Sequence, residues 1–388
     1  MYSLGVDIGG TNIKFLKIQH SDLSIKKTII KTPKNKIKNN VIKLNYPEIF
    51  EKVNNYINYL GIKNITKITI SGQMHSSMIV KNSKITDGPY SWQSQMVDEK
   101  KVNEIINELQ FIDDIKKGYP LFNIKNNLDG QFHSILTKLF GDLTGIYDRI
   151  HISEAAGTGL FDLKSNTWNK QLIDRLNLNN IHFPKVVSKK LFYYHKSSET
   201  KISIPFGDFQ MSMDANLNKN TKSISINIAT GGQICILKNE NESLYQTRPS
   251  FYKNFTYDCY TQLPAGRFIN FLEKQVGRKK LNFSNKILEN IDPCPDLFSL
   301  NDIEKYINEK IAYLSYEEIM HSLLKKYIFL LKQYNKKYSF QNIVLSGSIL
   351  EHYKLFEIGI KQHFKDKNIY FNKDDVLKNH QKILLNNT

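Results

Sequence analysis

One local pattern occurs twice in the chain, and this repetition is the strongest constraint on its fold. Residues 3–18 read as a buried strand, a Gly-Gly-Thr-Asn turn at 9–12 and a second strand with alternating apolar residues. Residues 223–237 repeat the strand–turn–strand order around Ala-Thr-Gly-Gly at 229–232. Two units of this kind in one chain predict two similar domains.

Helices are predicted next to each repeated unit. Apolar residues follow a helical period at 46–60, where a proline stands in the first turn, and again at 316–334. Strands that alternate with such helices are typical of α/β proteins. We therefore expect an α/β chain of two domains, 1–217 and 218–388, facing each other across a cleft.

The composition is that of an ordinary globular protein. Hydrophobic residues make up 40% and charged residues 23% of the 388 residues, which argues against disorder, collagen and coiled coil. No apolar run has the ~20 residues needed to cross a bilayer, and the N-terminus lacks the basic start of a signal peptide. The three cysteines are far apart, so we expect neither a disulfide framework nor a zinc cluster, and a cytoplasmic location.

The positive charge suggests an anionic partner without identifying it. The formal net charge is +17, but many of the lysines are scattered among Asn and Ile residues, and no RNA-binding motif or basic zipper accompanies them. We favour a solvated basic surface, with no specific nucleic acid and no membrane as partner. A nucleic-acid-associated ATPase remains an alternative, and it predicts retention on a polyanion with a steep dependence on salt.

The first turn has the chemistry of a phosphate site. Glycines at Gly9 and Gly10 let backbone N–H groups approach an anion, and Thr11 adds a hydroxyl donor. Asp7 offers an oxygen to a hard cation such as Mg²⁺. A plain β-hairpin turn explains the glycines equally well. The similar turn at 229–232 favours the phosphate site, because it offers a second cradle for the same phosphate chain.

Several short segments, in order, resemble the FGGY carbohydrate kinases. The first, DIGGTNIK at 7–14, is similar to the phosphate hairpin of the whole sugar kinase–actin–Hsp70 superfamily. The others are similar to segments of sedoheptulokinases and xylulokinases: SGQMH at 71–75, SEAAGTGLFD at 153–162, GDFQ at 207–210, NIATGGQ at 227–233 and LSGS at 345–348. The resemblance implies two actin-like, ribonuclease H-like ATPase domains and transfer of phosphate from ATP to a primary hydroxyl of a ketose. The implied sugar is a heptulose such as sedoheptulose or a pentulose such as xylulose.

The resemblance also assigns roles to particular residues. Asp208 is implied as the catalytic base, with Asp214 as a second candidate, and the residues implied to hold Mg²⁺ are Asp7 and Asp208. The residues implied to bind the sugar are Gln73, Met74, His75, Trp92, Gln93 and Asp208. The residues implied to bind ATP are Gly9, Gly10, Thr11, Asn12, Lys14, Thr230, Gly231, Gly232, Ser346, Gly347 and Ser348.

Two departures from the family pattern leave an alternative open. Ser94 and Met96 stand where the Trp-Gln-Asp-x-Arg sugar segment of the family has Asp and Arg. The part of the chain that corresponds to the C-terminal lobe is also shorter than is usual in the family. The chain could therefore be a member of the same fold that binds a sugar or a nucleotide without phosphorylating it. A homodimer is left open as well.

Overall fold

In the computed structural model, residues 1–94, 96, 100, 104, 120–239, 242–297, 300–373 and 375–385 are described. The chain forms two compact units. The first consists of Met1–Asp214, Pro249–Phe251 and Val376–Thr388, and the second of Ala215–Arg248 and Tyr252–Asp375.

The strands of the first unit are numbered in chain order. They are β1 Tyr2–Ile8, β2 Asn12–Gln19, β3 Ile25–Lys31, β4 Lys36–Lys38, β5 Val41–Lys43, β6 Ile65–Gly72, β7 Ser77–Lys81, β8 Lys84–Tyr90, β9 Gly130–His133, β10 Arg149–His151, β11 Phe161–Asp162, β12 Thr167–Trp168, β13 Ile181–His182, β14 Lys185–Val187, β15 Phe192–Tyr194, β16 Lys201–Ser203 and β17 Phe206–Gly207. The strands that follow are β18 Ser223–Ile228, β19 Gly232–Lys238, β20 Gln246–Pro249, β21 Thr256–Leu263, β22 Asn342–Ser346 and β23 Asn368–Phe371.

The helices are numbered in the same way. They are α1 Tyr46–Leu60, α2 Pro120–Asn123, α3 Ile135–Thr144, α4 Ile152–Ala156, α5 Lys170–Arg175, α6 Asp208–Asn216, α7 Gly266–Val276, α8 Asn285–Asn290, α9 Leu300–Lys310, α10 Tyr316–Tyr338, α11 Ile349–His352, α12 Lys354–His363 and α13 Asp375–Leu385, with a 3-10 turn at Ile62–Asn64.

The main sheet of the first unit has the strand order β15-β16-β6-β1-β2-β3, with β17 also paired to β6. The first hairpin forms where it was predicted, with β1 and β2 antiparallel and Asp7 opposite Lys14. Strand β6 then runs parallel to β1, so the two strands end at the same edge. A further sheet of this unit has the order β13-β9-β7-β8-β5-β4.

The sheet of the second unit repeats this arrangement in the order β20-β21-β19-β18-β22-β23. Here β18 is antiparallel to β19 and parallel to β22, as β1 is to β2 and β6. The next strand on that side, β23, is parallel to β22, as β16 is to β6. The internal repetition predicted from the sequence is therefore confirmed at the level of strand pairing.

Each unit has its own apolar core. In the first, α1 and α3 cover the main sheet; the buried face of α1 carries Ile49, Val53 and Ile57, as its period predicts. In the second, helices α7 and α10 bury their apolar residues with those of β18, β19 and β22. Helix α10 begins with a capping box between Ser315 and Glu318, which satisfies two backbone donors of its first turn.

The units differ from the predicted domains, since residues 215–217 belong to the second unit and Pro249–Phe251 and Val376–Thr388 belong to the first. The sequence assigned 218–388 to the second domain, but Val376–Thr388 is part of the first unit. Helix α13 packs there through Leu377 and Leu384, which meet Leu16 and Ile18 of β2. Within the described ranges, no helix is both long enough and apolar enough to span a bilayer.

Candidate functional site

Three parallel strands of the first unit end at one level, and predicted site residues follow each of them. Ile8 of β1 lies beside Gly72 of β6, and Gly72 lies beside Gly207 of β17. The next residues along these strands are Gly9, Gln73 and Asp208. Ligand sites of open α/β sheets form beyond the carboxyl ends of the strands. The fold thus brings the phosphate turn, the predicted sugar residue and the predicted base together.

Asp208 is the first residue of α6, and its side chain is half-buried. Its Oδ1 accepts a hydrogen bond of 2.8 Å from the backbone N–H of Phe209. The positive end of a helix dipole stabilises a carboxylate at this place. An ionised carboxylate that is also reachable from outside can accept a proton from a substrate hydroxyl.

Asp214, the second candidate for the base, has a different environment. Its side chain is buried, and its Oδ2 lies 3.3 Å from Lys190 Nζ and 3.4 Å from Lys382 Nζ. A buried carboxylate needs such partners, because an uncompensated charge is costly there. Asp214 therefore has a structural function in the first unit, and the geometry favours Asp208 as the base.

The turn of the first hairpin is exposed at its tip, although not all of its backbone N–H groups are available to a phosphate. Gly10 and Thr11 are exposed, whereas the Gly9 N–H donates to the carbonyl oxygen of Asn12 at 3.0 Å and closes the turn. A Cβ on Gly10 would lie 3.5 Å from Gln73 Oε1. The phosphate turn and the predicted sugar residue are thus immediate neighbours.

Asp7, at the level of this turn, has the chemistry to bind a magnesium ion. Its Oδ1 accepts a hydrogen bond from Ser71 Oγ at 3.0 Å, and its Oδ2 lies 3.7 Å from Lys14 Nζ. Among the described residues, no three His, Cys, Asp or Glu side chains form a metal cluster. Mg²⁺ does not require one, since it is commonly held by one or two carboxylates together with waters and substrate phosphates. Asp7 fits that mode of binding.

His75 and Met74 are fixed by two glycines. The backbone of His75 has a φ of 62°, a left-handed conformation that costs a non-glycine residue about 1–3 kcal/mol and occurs preferentially at functional sites. Its Nδ1 is hydrogen-bonded to the Gly157 carbonyl oxygen. Met74 is buried, and a Cβ on Gly207 would lie 2.6 Å from its Sδ. Met74 therefore packs beneath the site, while His75 is directed by a strained backbone.

Glu154 is a site residue whose role the sequence did not predict. It lies in α4 and is 4% exposed, and the residue before it, Ser153, accepts a hydrogen bond of 3.0 Å at Oγ from the Gly207 N–H. Burial raises the pKa of Glu154 to about 8; a hydrogen bond from Ser134 opposes this rise, and the Asp208 carboxylate adds to it. The buried acid is thus electrostatically linked to the predicted base.

Several buried polar atoms of this region lack a hydrogen-bond partner. In the part of the chain that the structure describes, these are Gln73 Nε2, Glu154 Oε1 and both side-chain polar atoms of Gln210. Leaving such an atom unpaired costs about 1–3 kcal/mol.

The second unit contains the other predicted phosphate turn. Nothing lies within 4 Å of a Cβ built on Gly231, so this face of the turn is open. Gly232 has no room for a side chain, since a Cβ there would lie 1.9 Å from Tyr327 Oη. The N–H of Arg267, in the first turn of α7, donates to the Thr230 carbonyl oxygen at 3.1 Å. The turn is therefore open at Thr230–Gly231 and requires a glycine at position 232, and the role of Gly232 toward phosphate stays a prediction.

The predicted adenosine segment adjoins this turn within the second unit. Ser346 pairs with Asn227 across β22 and β18, and Ser346 Oγ accepts a hydrogen bond of 3.1 Å from Asn227 Nδ2. Gly347 has a φ of 103°, and a Cβ there would lie 2.3 Å from the Ile228 carbonyl oxygen. Ser348 is exposed. The segment thus passes over the strand that leads into the phosphate turn.

The comparison with solved structures shows the same fold. A ligand-bound xylulose kinase from Lactobacillus acidophilus has a TM-score of 0.74 at 15% identity, covering 100% of this chain and 90% of that one. A glycerol kinase from Plasmodium falciparum with ADP has a TM-score of 0.69 at 14% identity, covering 98% and 88%. The chain has the fold of the FGGY carbohydrate kinases. The prediction of fold class is confirmed.

Sequence comparison gives a weaker match to the same group of FGGY kinases. A curated xylulose kinase from Staphylococcus xylosus is 24% identical over 208 residues, 48% of this chain and 43% of that protein. The match thus spans less than half the length of that relative. No family model matches the chain.

The segment that departs from the FGGY sugar motif is bound to the neighbouring sheet. Ser94 is buried; its Oγ accepts from the Ile42 N–H at 3.0 Å and donates to the Ile42 carbonyl oxygen at 2.9 Å. Trp92 is half-buried and Gln93 is exposed. Strand pairing places Gln73 beside Asp208, whereas the role of Trp92 and Gln93 as sugar ligands stays a prediction.

Proposed function

We propose that the chain is an ATP-dependent carbohydrate kinase that phosphorylates a primary hydroxyl of a ketose, either a heptulose such as sedoheptulose or a pentulose such as xylulose. The observation that carries the proposal is the position of Asp208 beside Gln73 at adjacent strand ends. Unpartnered polar atoms of Gln73, Glu154 and Gln210 are buried in the same region. The Gln73 amide can form hydrogen bonds with sugar hydroxyl groups, and the half-buried Asp208 carboxylate can accept one proton.

The residues of the first unit have separate tasks in the proposed reaction. Gln73 and His75 orient the sugar, and Asp208 accepts the proton of the attacking hydroxyl as its bond to phosphorus forms. Asp7 would hold Mg²⁺, which when bound neutralises charge on the phosphates. The Gly10–Thr11 tip offers donors to a phosphate group.

The second unit contributes nucleotide binding in this proposal. The open Thr230–Gly231 turn offers donors to phosphate, and the segment from Ser346 to Ser348 adjoins the nucleoside. The likeness to a kinase solved with ADP supports this division of tasks.

A coupled ADP-release assay with Mg·ATP tests the proposal. The acceptors are ketoses of five to seven carbons, together with glycerol and gluconate, because neighbouring structures include a glycerol kinase and a gluconate kinase. Asp208→Asn should lower sugar-dependent turnover by about 10²–10⁴-fold. Mg·ATP should still raise the melting temperature of this variant. Asp174→Asn, at an exposed position, is the matched control and should keep full activity.

Two results would contradict the proposal. Full turnover of Asp208→Asn, with turnover lost in Asp214→Asn instead, would assign the proton to the other carboxylate. Stabilisation by ATP without turnover on any acceptor would favour a protein that binds the nucleotide and transfers nothing. This alternative is supported by Ser94, which is bound to backbone and replaces a sugar-contacting Asp of the family pattern.

A further inference from the structure

A buried chain of hydrogen bonds joins helix α13 to Asp7. His380 Nδ1 lies 2.6 Å from Thr69 Oγ1, and His380 Nε2 lies 2.8 Å from Ser71 Oγ. Ser71 Oγ in turn lies 3.0 Å from Asp7 Oδ1. The side chains of Thr69, Ser71 and His380 are 0% exposed and Asp7 is 4% exposed.

The Asp7 carboxylate stands at the end of this chain, and it fixes which atom donates in each of the three hydrogen bonds. An ionised carboxylate only accepts, so the single Ser71 proton goes to Asp7. Ser71 must then accept a proton from His380 Nε2, which leaves Nδ1 of the neutral ring to accept from Thr69. One neutral tautomer of His380 therefore satisfies all three bonds. Burial supports that neutral form, since it lowers the pKa of His380 to about 3.

The sheet is shaped to receive this ring. Gly5 and Asp7 stand on the same face of β1 and pair with Thr69 and Ser71 of β6. A Cβ on Gly5 would lie 2.8 Å from His380 Cβ and 2.9 Å from His380 Cγ. A side chain at position 5 would thus displace the imidazole, and glycine gives it room.

We infer that His380 is a positioning residue for Asp7: through Ser71 it holds the carboxylate in one orientation, with Oδ1 toward Ser71 and Oδ2 toward Lys14. The inference rests on the proposed function, in which Asp7 binds Mg²⁺. Groups that orient a metal ligand in this way typically change metal affinity or activity by about 10–100-fold when they are removed. A residue that only anchored α13 would affect stability alone.

Two substitutions at position 380 separate these roles. His380→Gln keeps an N–H donor at the distance of Nε2 and can still reach Ser71, whereas His380→Asn reaches only as far as Nδ1 does. Asn379→Ala is the matched control, since Asn379 Nδ2 anchors the same helix by donating to the Met211 carbonyl oxygen at 3.0 Å. The measurement is the Mg²⁺ concentration at which ATP gives half of its maximal thermal stabilisation, and it needs no turnover.

We expect His380→Asn to raise this Mg²⁺ concentration by about 10–100-fold. His380→Gln should stay within about threefold of the wild type, and Asn379→Ala should leave the value unchanged while lowering the melting temperature. Equal shifts in the Asn379 and His380 variants, or no shift in His380→Asn, would overturn the inference. Ser71→Ala breaks the same chain without altering α13, so an unchanged value there would overturn it even if His380→Asn fails to fold.

The Mg²⁺ titration of the wild type separates a failure of the His380 inference from a failure of the proposed function. If Mg·ATP stabilises the wild type and the variants need the same Mg²⁺ concentration as the wild type, the positioning role fails and the proposed nucleotide site stands. If Mg·ATP does not stabilise the wild type, the proposed function fails and the inference fails with it.

Discussion

Replacing Glu154 by glutamine should stabilise the first unit at alkaline pH and have little effect at acidic pH. The carboxyl group ionises near its ordinary pKa of 4.5 in the unfolded chain, but burial keeps it protonated up to about pH 8 in the folded unit. Between these values the folded state binds more protons, so the free energy of unfolding falls as the pH rises. Glutamine keeps the size of the acid and has no proton to lose.

The magnitude follows from the size of the pKa difference. Each pKa unit corresponds to about 1.4 kcal/mol, so between about pH 5 and about pH 8 the wild type loses about 4 kcal/mol relative to Glu154→Gln. The buried His133 and His380, whose pKa values are lowered to about 4 and about 3, act in the opposite sense. Their contribution to stability is complete above about pH 6.5 and is lost as the pH falls toward those values, equally in both proteins.

Urea denaturation followed by tryptophan fluorescence measures this difference in the relevant unit. Both tryptophans of the chain, Trp92 and Trp168, belong to the first unit. Glu51→Gln, at an exposed position of α1, is the control and should give a difference that does not change with pH. If the stabilities of wild type and Glu154→Gln remain parallel from about pH 5 to about pH 8, Glu154 is not held protonated and the reasoning is refuted.

Two further predictions concern the second unit. Gly347→Ala should destabilise it by about 2–4 kcal/mol, because the alanine would combine a strained positive φ with a methyl group pressed against the Ile228 carbonyl oxygen; an unchanged circular-dichroism melting curve would contradict this. The three cysteines are all buried, so a thiol reagent should label none in the native protein and all three in urea, and labelling of the native protein would show that their segments open.

The parts of the fold that the sequence predicted are those set by local pattern. The alternation of apolar residues predicted the β1–β2 hairpin. The helical spacing of Ile49, Val53 and Ile57 predicted α1 together with its buried face. The repeated strand–turn–strand pattern predicted that the two sheets are similar, because two strands joined by a short turn can pair in few ways.

The site was predictable to the extent that it follows strand ends. Gln73 and Asp208 each come directly after a strand, and parallel pairing of those strands places them side by side. The packing requirement at Gly232 was not predictable, since only the structure shows Tyr327 beside it. Glu154 lies in a family-like segment, but its link to Asp208, like the contacts of His380, depends on neighbours that are distant in sequence; His380 and Thr69 are 311 positions apart.

The position of α13 also bears on the order in which the two units are completed during synthesis. The buried core of the second unit ends at Phe364 and its last strand, β23, ends at Phe371, so all of its core and sheet residues are made before α13. The first unit, although most of it is synthesised earlier, still lacks the helix that covers Leu16 and Ile18 and fills the space over Gly5. Contacts over such a sequence separation close late. The first unit is therefore begun first and completed last. Until α13 is made, the apolar residues of β2 are exposed and can bind a chaperone.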